Sequence, residues 1–360
     1  MSRCSRLTGC LAVFLAAALT FSAAHQSGPA LADENPSSAS ANTVESTESS
    51  PQATLSFGTN VNEEPKWRQF IGGDVEEVWA HSPSMDRNIP LIVLRADDSK
   101  GPRPVLYLLN GADGGESTAN WLFHTDALDY YRSKNINLVI PMQGYRSFYT
   151  DWIQDSERLG GKQKWETFLT QELPGPLEKA LNTNGKRAIA GVSMSATTTI
   201  LYAQHHPGFY NAVASFSGCQ QTSGFLGDLT TNLVIASYGD PTMMWGDMNS
   251  DTWRYNDIFA NIEKLRGQTI YVANGSMTFG PYDLVGSPFL WEGVTSIDSV
   301  VNGGIIEGVS NICAHNFQAK LKQANIPATF DFTAVGTHSW GYWQDDLRRS
   351  WNTIGPAIGA

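Results

Sequence analysis

The stretch Arg187-Ala188-Ile189-Ala190-Gly191-Val192-Ser193-Met194-Ser195 joins two elements of regular structure. Residues 187–191 are typical of a buried strand, and residues 194–205 have the length and apolar spacing of a helix. A serine in such a tight strand-to-helix turn holds its oxygen at the edge of the sheet, beside the positive end of the helix. The pattern therefore predicts that Ser193 is a nucleophile.

The triplet Gly-x-Ser carries little information without this context. It also occurs at residues 115–117 and 308–310, but neither copy has both a preceding apolar strand and a following helix. The fifth position of the turn is Ser195 where the usual pattern has glycine, which exchanges one small residue for another. An ordinary strand-to-helix turn without a chemical role remains the alternative for Ser193.

The surrounding chain alternates short apolar runs with helical segments, which predicts a doubly wound, mostly parallel α/β sheet with flanking helices. The predicted strands are 105–109, 136–140, 187–191, 212–216, 269–273 and 329–333. The predicted helices are 126–133, 165–173, 194–205, 257–265 and 316–323. In such sheets ligands bind beyond the carboxyl ends of the strands, so chemistry is expected in the residues that follow each strand.

A nucleophilic serine needs a base, which in this type of fold comes last in the order serine, acid, histidine. Of the seven histidines, only His338 follows a late strand, in the loop Gly336-Thr337-His338-Ser339-Trp340. It is the predicted base, and a merely solvated loop histidine is the alternative. Spacing does not choose among six candidate acids, which are Asp240, Asp257, Asp283, Glu292, Asp298 and Glu307.

An oxyanion formed at Ser193 needs two backbone N–H donors. Met194, the residue after the nucleophile, is the first. The loop that follows the strand 105–109 reads Asn110-Gly111-Ala112-Asp113, and its position predicts Ala112 as the second. A simple glycine turn is the alternative for this loop.

Composition limits the class of partner and the location. The chain has 360 residues, 24 Lys plus Arg against 35 Asp plus Glu, and a net charge of −11, which argues against nucleic acid as a partner. Residues 1–32 have the layout of a secretory signal peptide, residues 33–65 are a polar flexible segment, and residues 66–360 form one large domain. No later apolar run is long enough to span a membrane. We therefore expect a protein that acts outside the cell or in the cell envelope.

Removal of residues 1–32 leaves two cysteines, Cys219 and Cys313. In an exported protein they suggest one disulfide that closes a loop of 95 residues, counted from 219 to 313 inclusive. Two buried free thiols are the alternative. The sequence has no metal-binding motif and no convincing phosphate-binding loop, so we expect no cofactor.

Several longer blocks resemble the secreted mycolyltransferases, the antigen 85 family of mycolic-acid-containing actinobacteria. The family belongs to the esterase branch of the α/β-hydrolase fold. The resemblance extends over nearly all of the domain. The blocks that carry it, besides the turn at Ser193, are residues 82–89, 107–111, 147–152, 164–174, 253–257 and 336–343.

The resemblance implies site residues that spacing alone leaves open. The family's acid is a glutamate in a helical segment about thirty residues before the histidine, which implies Glu307. In the family's loop Asp-Gly-Leu-Arg the aspartate and arginine contact trehalose, whereas this chain has Asn110 and Asp113 at those positions. The predicted substrate contacts are Asn110, Asp113 and two neighbours of His338, Ser339 and Trp340. Buried packing is the alternative for Trp340.

The resemblance implies transfer of a mycoloyl chain from trehalose monomycolate, through an acyl-serine, to a second trehalose monomycolate or to arabinogalactan. Because Asp113 reverses the charge at its position, a protein serine or another envelope hydroxyl stays open as acceptor. One rival is a secreted carboxylesterase with the same residues. The other is a non-catalytic envelope-binding relative.

Overall fold

A nine-stranded sheet runs through the part of the chain that the computed structural model describes, which comprises residues 51–60, 62–235, 239–290 and 295–360. The strands lie in the order β1-β2-β3-β5-β4-β6-β7-β8-β9. Their bounds are β1 Thr54–Phe57, β2 Val75–Ser82, β3 Arg87–Leu94, β4 Arg103–Leu109, β5 Asn137–Pro141, β6 Thr183–Val192, β7 Ala212–Phe216, β8 Thr269–Asn274 and β9 Thr329–Phe332.

Helices fill the connections between the strands. The α-helices are α1 Trp121–His124, α2 Ala127–Arg132, α3 Trp165–Thr167, α4 Pro174–Ala180, α5 Met194–His205, α6 Gly224–Ile235, α7 Pro241–Trp245, α8 Asp251–Tyr255, α9 Ser296–Asp298, α10 Gly304–Gln323 and α11 Trp340–Ile358. Single π-helical turns, Phe168–Glu172 and Ser299–Gly303, extend α3 and precede α10. Short 3-10 turns cover Lys66–Phe70, Glu157–Leu159, Ile262–Leu265 and Pro281–Asp283.

Strand direction decides where the site lies. The strands from β4 to β9 are mutually parallel, whereas β1, β2 and β3 join the sheet through antiparallel pairs. The chain passes from β4 to β5 on one side and then returns to β6 on the other side of β4. A crevice at such a switch point, beyond the carboxyl ends of the strands, is where doubly wound sheets bind ligands.

Both faces of the sheet are covered, as expected for parallel strands. Along β4, Val105 and Tyr107 belong to the core on one face, and Leu106 and Leu108 belong to the core on the other. The first core includes apolar residues of α5 and α10, and the second includes those of α1, α2 and α11. Because both faces are buried, the strands read as continuous apolar runs, which is why the sequence revealed them.

The predicted α/β class is confirmed, and all six predicted strands are present within a few residues of their predicted bounds. The predicted helices 126–133, 165–173 and 194–205 are also confirmed, with the second of them continuing from α3 into a π-helical turn. Strands β2 and β3 and helices α6 and α11 were not predicted.

Two predicted helices differ from the structure. Residues 257–265 form turns and a short 3-10 segment, Ile262–Leu265. The side chain of Asp257 accepts hydrogen bonds from the N–H groups of Phe259 and Ala260, as a helix N-cap does, but no α-helix follows. The predicted helix 316–323 is the second half of the 20-residue α10. Glycines at positions 304 and 308 interrupt the apolar pattern of its first half.

The prediction that residues 33–65 are flexible was wrong for their described end. Strand β1 pairs in register with β2 from Thr54 with His81 to Phe57 with Val78, so the domain begins before residue 66. Backbone pairing with β2 and the packing of Leu55 against the core give this strand its order, whereas the polar composition of the segment as a whole predicted flexibility. The predicted signal peptide, residues 1–32, and residues 33–50 lie outside the described residues.

Candidate active site

Ser193 occupies the turn between β6 and α5, as predicted. Its backbone has φ 56° and ψ −119°, a conformation that costs energy for any residue other than glycine. The turn is held because the N–H of Ser193 donates to the carbonyl of Phe216 at 2.9 Å. A Cβ added at Gly191 would lie 2.5 Å from the carbonyl oxygen of Ser195, so the close approach of strand and helix requires glycine there.

Ser195 fits the fifth position of the turn by hydrogen bonding. Its Oγ accepts from the N–H of Val192 at 2.9 Å and lies 3.1 Å from that residue's carbonyl oxygen. The side chain is fully buried. The exchange of glycine for serine is therefore accommodated without opening the turn.

His338 lies beside Ser193 although the two residues are 145 positions apart in the chain. Nε2 of His338 is 2.8 Å from Oγ of Ser193. The histidine follows β9, and its backbone N–H donates to the carbonyl of Gly303 at 3.2 Å. The loop after a late strand thus places the imidazole where a base for Ser193 is needed.

Glu307, in the first turn of α10, lies beside His338 on the side away from Ser193. Its Oε2 lies 2.9 Å from Nδ1 of His338, and its side chain is fully buried. Oε1 accepts three hydrogen bonds, from Oγ of Ser217 at 2.8 Å, Nδ2 of Asn274 at 2.8 Å and the N–H of Gly275 at 2.6 Å. Three donors to Oε1 and the imidazole at Oε2 therefore hold this buried carboxylate in place.

The other candidate acids have different surroundings. Asp240 and Asp298 accept hydrogen bonds at the starts of α7 and α9, and Asp257 forms the turn described above. Asp283 is buried among the hydroxyl groups of Ser299, Thr337 and Tyr342. Glu292 lies outside the described residues. Among the candidates within the described ranges, only Glu307 contacts His338.

The predicted disulfide between Cys219 and Cys313 is confirmed. It joins the segment after β7 to α10, and its two cysteines are two residues from Ser217 and six residues from Glu307 in the chain. The acid-bearing helix is therefore tied covalently to the strand end that supplies one of the hydrogen bonds to the acid.

The two predicted oxyanion donors lie in the turns that flank Ser193. Met194 is the first residue of α5, and the N–H of a first helical residue has no acceptor inside its helix. A Cβ added at Gly111 would lie 3.5 Å from Cβ of Ser193, which places the loop after β4 directly against the serine. In that loop the carbonyl of Ala112 accepts from the N–H of Arg146 at 2.9 Å.

Two of the predicted substrate contacts, Asn110 and Trp340, have buried side chains. The Asn110 side chain is fully buried; its Nδ2 donates to the carbonyl of Pro141 at 2.9 Å and its Oδ1 accepts from the N–H of Trp121 at 3.3 Å. The Trp340 indole is buried against three rings, those of Trp121, His124 and Trp343. Both side chains therefore pack inside the protein next to the site. Buried packing was the alternative that the sequence left open for Trp340.

Asp113 and Ser339 occupy different environments. Asp113 is half-buried, and burial raises the pKa of its carboxyl group although the N–H of Ser117 donates to it at 2.8 Å. Ser339 is largely buried at the start of α11, where its N–H donates to the carbonyl of Thr337. Asp113 therefore retains an exposed surface, whereas Ser339 is mainly a backbone element of the His338 loop.

Sequence reasoning missed the residues that hold Glu307. Ser217 directly follows β7, Asn274 ends β8, and Gly275 follows it. Since chemistry was expected just after each strand, the position of these polar residues was a usable signal. Asp283 was one of the six candidate acids, but no local pattern predicted its contact with Thr337, next to His338.

His205 and His206 lie at the far end of α5 from Ser193 and bind Glu166. Nδ1 of His205 and Nε2 of His206 lie 2.9 Å and 2.8 Å from the same oxygen, Oε1 of Glu166. Burial opposes ionisation of Glu166, but the hydrogen bonds from the two imidazoles outweigh it and lower the pKa of Glu166 to about 2.

Within the described ranges, no group of three or more His, Cys, Asp or Glu side chains is arranged to hold a metal ion. No helix in those ranges is long and apolar enough to cross a membrane.

The fold and the geometry of the site define the class, an enzyme of the α/β-hydrolase fold. The Esterase family model matches residues 82–353. Diacylglycerol acyltransferase/mycolyltransferase Ag85A of Mycobacterium tuberculosis is 31% identical over 300 residues, with 80% of this chain and 83% of the relative covered. Ag85B of Mycobacterium intracellulare is 29% identical over 80% of this chain and 85% of its own length.

The chain belongs to the Esterase family and, within it, to the mycolyltransferase family that includes Ag85A and Ag85B. The resemblance seen in the sequence is thereby confirmed. Among solved structures, MPT51 (FbpC1) of Mycobacterium tuberculosis aligns with a TM-score of 0.63 at 24% identity, over 80% of this chain and all of the other. The serine hydrolase FphF of Staphylococcus aureus aligns with a TM-score of 0.57 at 17% identity, over 79% of this chain and 99% of the other. These two structural similarities show a shared fold.

Proposed function

We propose that this protein is an acyltransferase of the cell envelope that moves a mycoloyl group from trehalose monomycolate to a hydroxyl acceptor through an acyl-serine. The observation that carries the proposal is the uninterrupted series of hydrogen bonds from Ser193 through His338 to Glu307, in a chain that belongs to the mycolyltransferase family. The acceptor is a second trehalose monomycolate, arabinogalactan or a protein serine.

In the first half of the reaction, Oγ of Ser193 attacks the ester carbonyl while Nε2 of His338 takes its proton. Glu307 holds the imidazole through Nδ1 and stabilises the imidazolium that forms. The N–H groups of Ala112 and Met194 stabilise the negative charge on the tetrahedral oxygen. The imidazolium returns its proton to the departing sugar oxygen, which leaves the acyl group on Ser193.

In the second half the acceptor hydroxyl repeats these steps. His338 takes the proton of the acceptor, whose oxygen attacks the acyl-serine, and Ser193 leaves with the proton that His338 returns. Hydrolysis differs only in that water attacks. Transfer therefore depends on an acceptor held beside Ser193 in preference to water.

The location of the protein follows from the same proposal. The signal peptide proposed for residues 1–32 directs the chain out of the cell, and the disulfide between Cys219 and Cys313 agrees with an oxidising compartment. We propose that the mature protein is extracellular and peripheral to the envelope.

Intact-mass spectrometry after incubation with a short-chain trehalose ester tests the chemistry. We expect a mass increase of one acyl chain on the wild-type chain and none on Ser193→Ala. Ser117→Ala is the matched control because Ser117 belongs to another Gly-x-Ser triplet, and it retains the adduct. An adduct that persists on Ser193→Ala contradicts the assignment of the nucleophile.

Product analysis with and without added trehalose separates transfer from hydrolysis. Acylated trehalose is the expected product when the sugar is present. Free acid as the sole product in both reactions identifies a carboxylesterase. Absence of both adduct and turnover with every trehalose ester supports a non-catalytic, envelope-binding protein instead.

A further inference from the structure

A strained piece of backbone, residues 144–149, follows β5 at the carboxyl edge of the sheet, and we name it the bridging segment. Arg146, Phe148 and Tyr149 all have positive φ, at 49°, 54° and 47°. This conformation is uncommon for any residue other than glycine, and it is rarer still for bulky ones. Such strain persists only where the surrounding structure enforces it, and it is concentrated at functional sites.

The first half of the bridging segment holds the loop after β4. The N–H of Arg146 donates to the carbonyl of Ala112 at 2.9 Å. The N–H groups of the two preceding residues donate to Oε1 of Glu116, at 3.2 Å and 3.1 Å. A Cβ added at Gly114 would lie 2.3 Å from the backbone nitrogen of Tyr145, so the two backbones are in contact. Three successive N–H groups are therefore fixed to the loop that contains one proposed oxyanion donor.

The second half of the bridging segment holds helix α5. The N–H of Phe148 donates to Sδ of Met194 at 3.2 Å. The carbonyls of Phe148 and Tyr149 accept from the hydroxyl groups of Thr198 and Tyr202. Because Met194, Thr198 and Tyr202 are spaced by four residues, they lie along one face of α5. That face begins at the residue whose N–H is the other proposed oxyanion donor.

Strand pairing alone does not fix the distance between the two donors. Strands β4 and β6 are paired as far as Leu109 and Gly191, whereas Ala112 and Met194 each lie three residues beyond that pair. An oxyanion hole is effective only if its donors are held in place before the reaction. The bridging segment is hydrogen-bonded to both of the elements that carry these donors.

The strained conformation suits this double contact. In an extended strand, N–H groups two residues apart face the same neighbour. Here the N–H groups of Arg146 and Phe148 reach two different elements, and the left-handed residues turn the backbone between these contacts. The contacts with α5 are buried, and closely packed interiors transmit a displacement from one element to the next.

We propose that the bridging segment is the positioning element of the oxyanion hole, which sets the separation between the N–H groups of Ala112 and Met194. The thioether of Met194 and the hydroxyl of Thr198 are the positioning groups that attach α5 to the segment. This assignment rests on the function proposed above, in which the two N–H groups stabilise the tetrahedral oxygen.

Thr198→Val and Thr199→Val form a matched pair that tests the positioning role. Both threonines are fully buried in α5, and both hydroxyl groups donate to a backbone carbonyl. The hydroxyl of Thr198 donates to Phe148 in the bridging segment, whereas that of Thr199 donates to Ala196 in its own helix. Each substitution removes one buried hydrogen bond, but only Thr198→Val detaches the segment.

Met194→Leu and Met244→Leu form a second pair, for the thioether. Both methionines are buried in the same hydrophobic core, and leucine is close to methionine in volume, so both variants are expected to fold. Met194→Leu keeps the backbone N–H of residue 194 and removes only the sulfur acceptor of Phe148.

The kinetic readout compares p-nitrophenyl butyrate with its thionoester, in which sulfur replaces the carbonyl oxygen. Sulfur is larger than oxygen and accepts hydrogen bonds more weakly, so donors spaced for an oxyanion favour the oxygen ester. Removal of one donor costs about 10² to 10³ in kcat, and displacement costs less. We expect the ratio of the two kcat/KM values to fall about tenfold in Thr198→Val and Met194→Leu. Thr199→Val and Met244→Leu are expected to keep the wild-type ratio, because loss of folded protein lowers both rates equally.

Hydrogen exchange followed by mass spectrometry tests the same link without a substrate. If the segment joins the two donors, its detachment from α5 in Thr198→Val speeds exchange in residues 110–116 as well as in residues 144–149. Thr199→Val is expected to leave both ranges at the wild-type rate. Unchanged exchange in residues 110–116 of Thr198→Val overturns the proposal. So does a kinetic ratio that falls equally in both threonine variants or in neither.

The two measurements separate this proposal from the proposed function. A wild-type chain that reacts with both esters without discrimination leaves acyl transfer standing and overturns the oxyanion role of the segment. A wild-type chain that reacts with no ester refutes acyl transfer. Hydrogen exchange then still decides whether the bridging segment joins the loop of Ala112 to α5.

Discussion

The hydroxyl group of Thr337 donates a hydrogen bond to Oδ1 of Asp283, and Thr337 is the residue directly before His338. Asp283 is fully buried and accepts three further hydrogen bonds, from Oγ of Ser299, the hydroxyl of Tyr342 and the N–H of Gly280. The carboxylate therefore joins the turn before α10, the start of α11 and the loop of His338. We regard Asp283 as a positioning residue for the imidazole.

Asp283→Asn is expected to lower both stability and activity. The amide group of asparagine turns a donor toward groups that are themselves donors, so at least one hydrogen bond is lost in the interior, at a cost of about 2 to 3 kcal/mol in the free energy of unfolding. We expect a fall in kcat with a smaller change in KM. Asp298→Asn, at an exposed helix start, is the control and costs about 1 kcal/mol or less. Wild-type values of kcat and unfolding free energy would contradict this role.

Glu307→Gln tests the acid. The neutral amide does not stabilise an imidazolium, and loss of the equivalent carboxylate lowers kcat by about 10⁴ in a serine protease. We expect a loss of about 10² to 10⁴ in kcat with ester substrates, measured by steady-state kinetics. Glu263→Gln, an exposed carboxylate on the Ile262–Leu265 turn, serves as the control. Full activity of Glu307→Gln would show that His338 needs no carboxylate.

Removal of the disulfide is expected to destabilise the chain strongly. The bond closes a long loop, with a sequence separation of 94 residues, which in the chain-entropy model is worth about 4 to 5 kcal/mol. We expect the double variant Cys219→Ser, Cys313→Ser to melt at a lower temperature. Because the bond ties α10 to the end of β7, kcat is expected to fall before the fold is lost. An unchanged melting temperature and unchanged activity would contradict both statements.

Two glycines near Ser193 differ in the room that each has for a side chain. A Cβ at Gly191 would lie 2.5 Å from the backbone of Ser195, whereas one at Gly111 has its nearest neighbour at 3.5 Å, an ordinary contact distance. Denaturant unfolding is therefore expected to show a loss of about 2 kcal/mol or more for Gly191→Ala and a loss under about 1 kcal/mol for Gly111→Ala. Equal losses would show that the turn can relax.

Glu166 links stability to pH. Its pKa is about 2 in the folded chain against an ordinary value of 4.5, so its stabilising effect is fully present above pH 4.5 and is lost as the pH falls toward 2. The linkage is worth about 3 kcal/mol. Glu166→Gln is expected to be less stable than the wild type at pH 6, with a difference that shrinks between pH 4.5 and pH 2. A difference independent of pH would show that the carboxylate is not ionised.

The sequence was sufficient to predict the strands that are buried on both faces of the sheet. In the sequence, parallel strands such as β4 and β7 are apolar runs. Residues of the site follow directly after each run. The edge strand β1 gave no such signal because it gains its order from pairing with β2. Helix α11 was missed because its tryptophans were read as part of the His338 loop.

Positions along the chain located Ser193 and His338 but not the partners of Glu307. The carboxylate is held by Ser217, Asn274 and Gly275, which come from two neighbouring strand ends and meet only in the folded sheet. Burial of Asn110 and Trp340 likewise depends on packing across the sheet. Spacing along the sequence predicts which residues lie at the same edge of the sheet. The contacts between those residues depend on the folded structure and are not visible in the sequence.

The separation of 145 residues between Ser193 and His338 has a consequence for the timing of activity. A growing chain presents β6, α5 and the serine long before β9 and the histidine have been synthesised. During that interval the nucleophile has no base and the carboxylate of Glu307 has no imidazole to hold. Under the mechanism proposed above, reaction with esters therefore requires that β9 has joined the sheet and has brought His338 to Ser193.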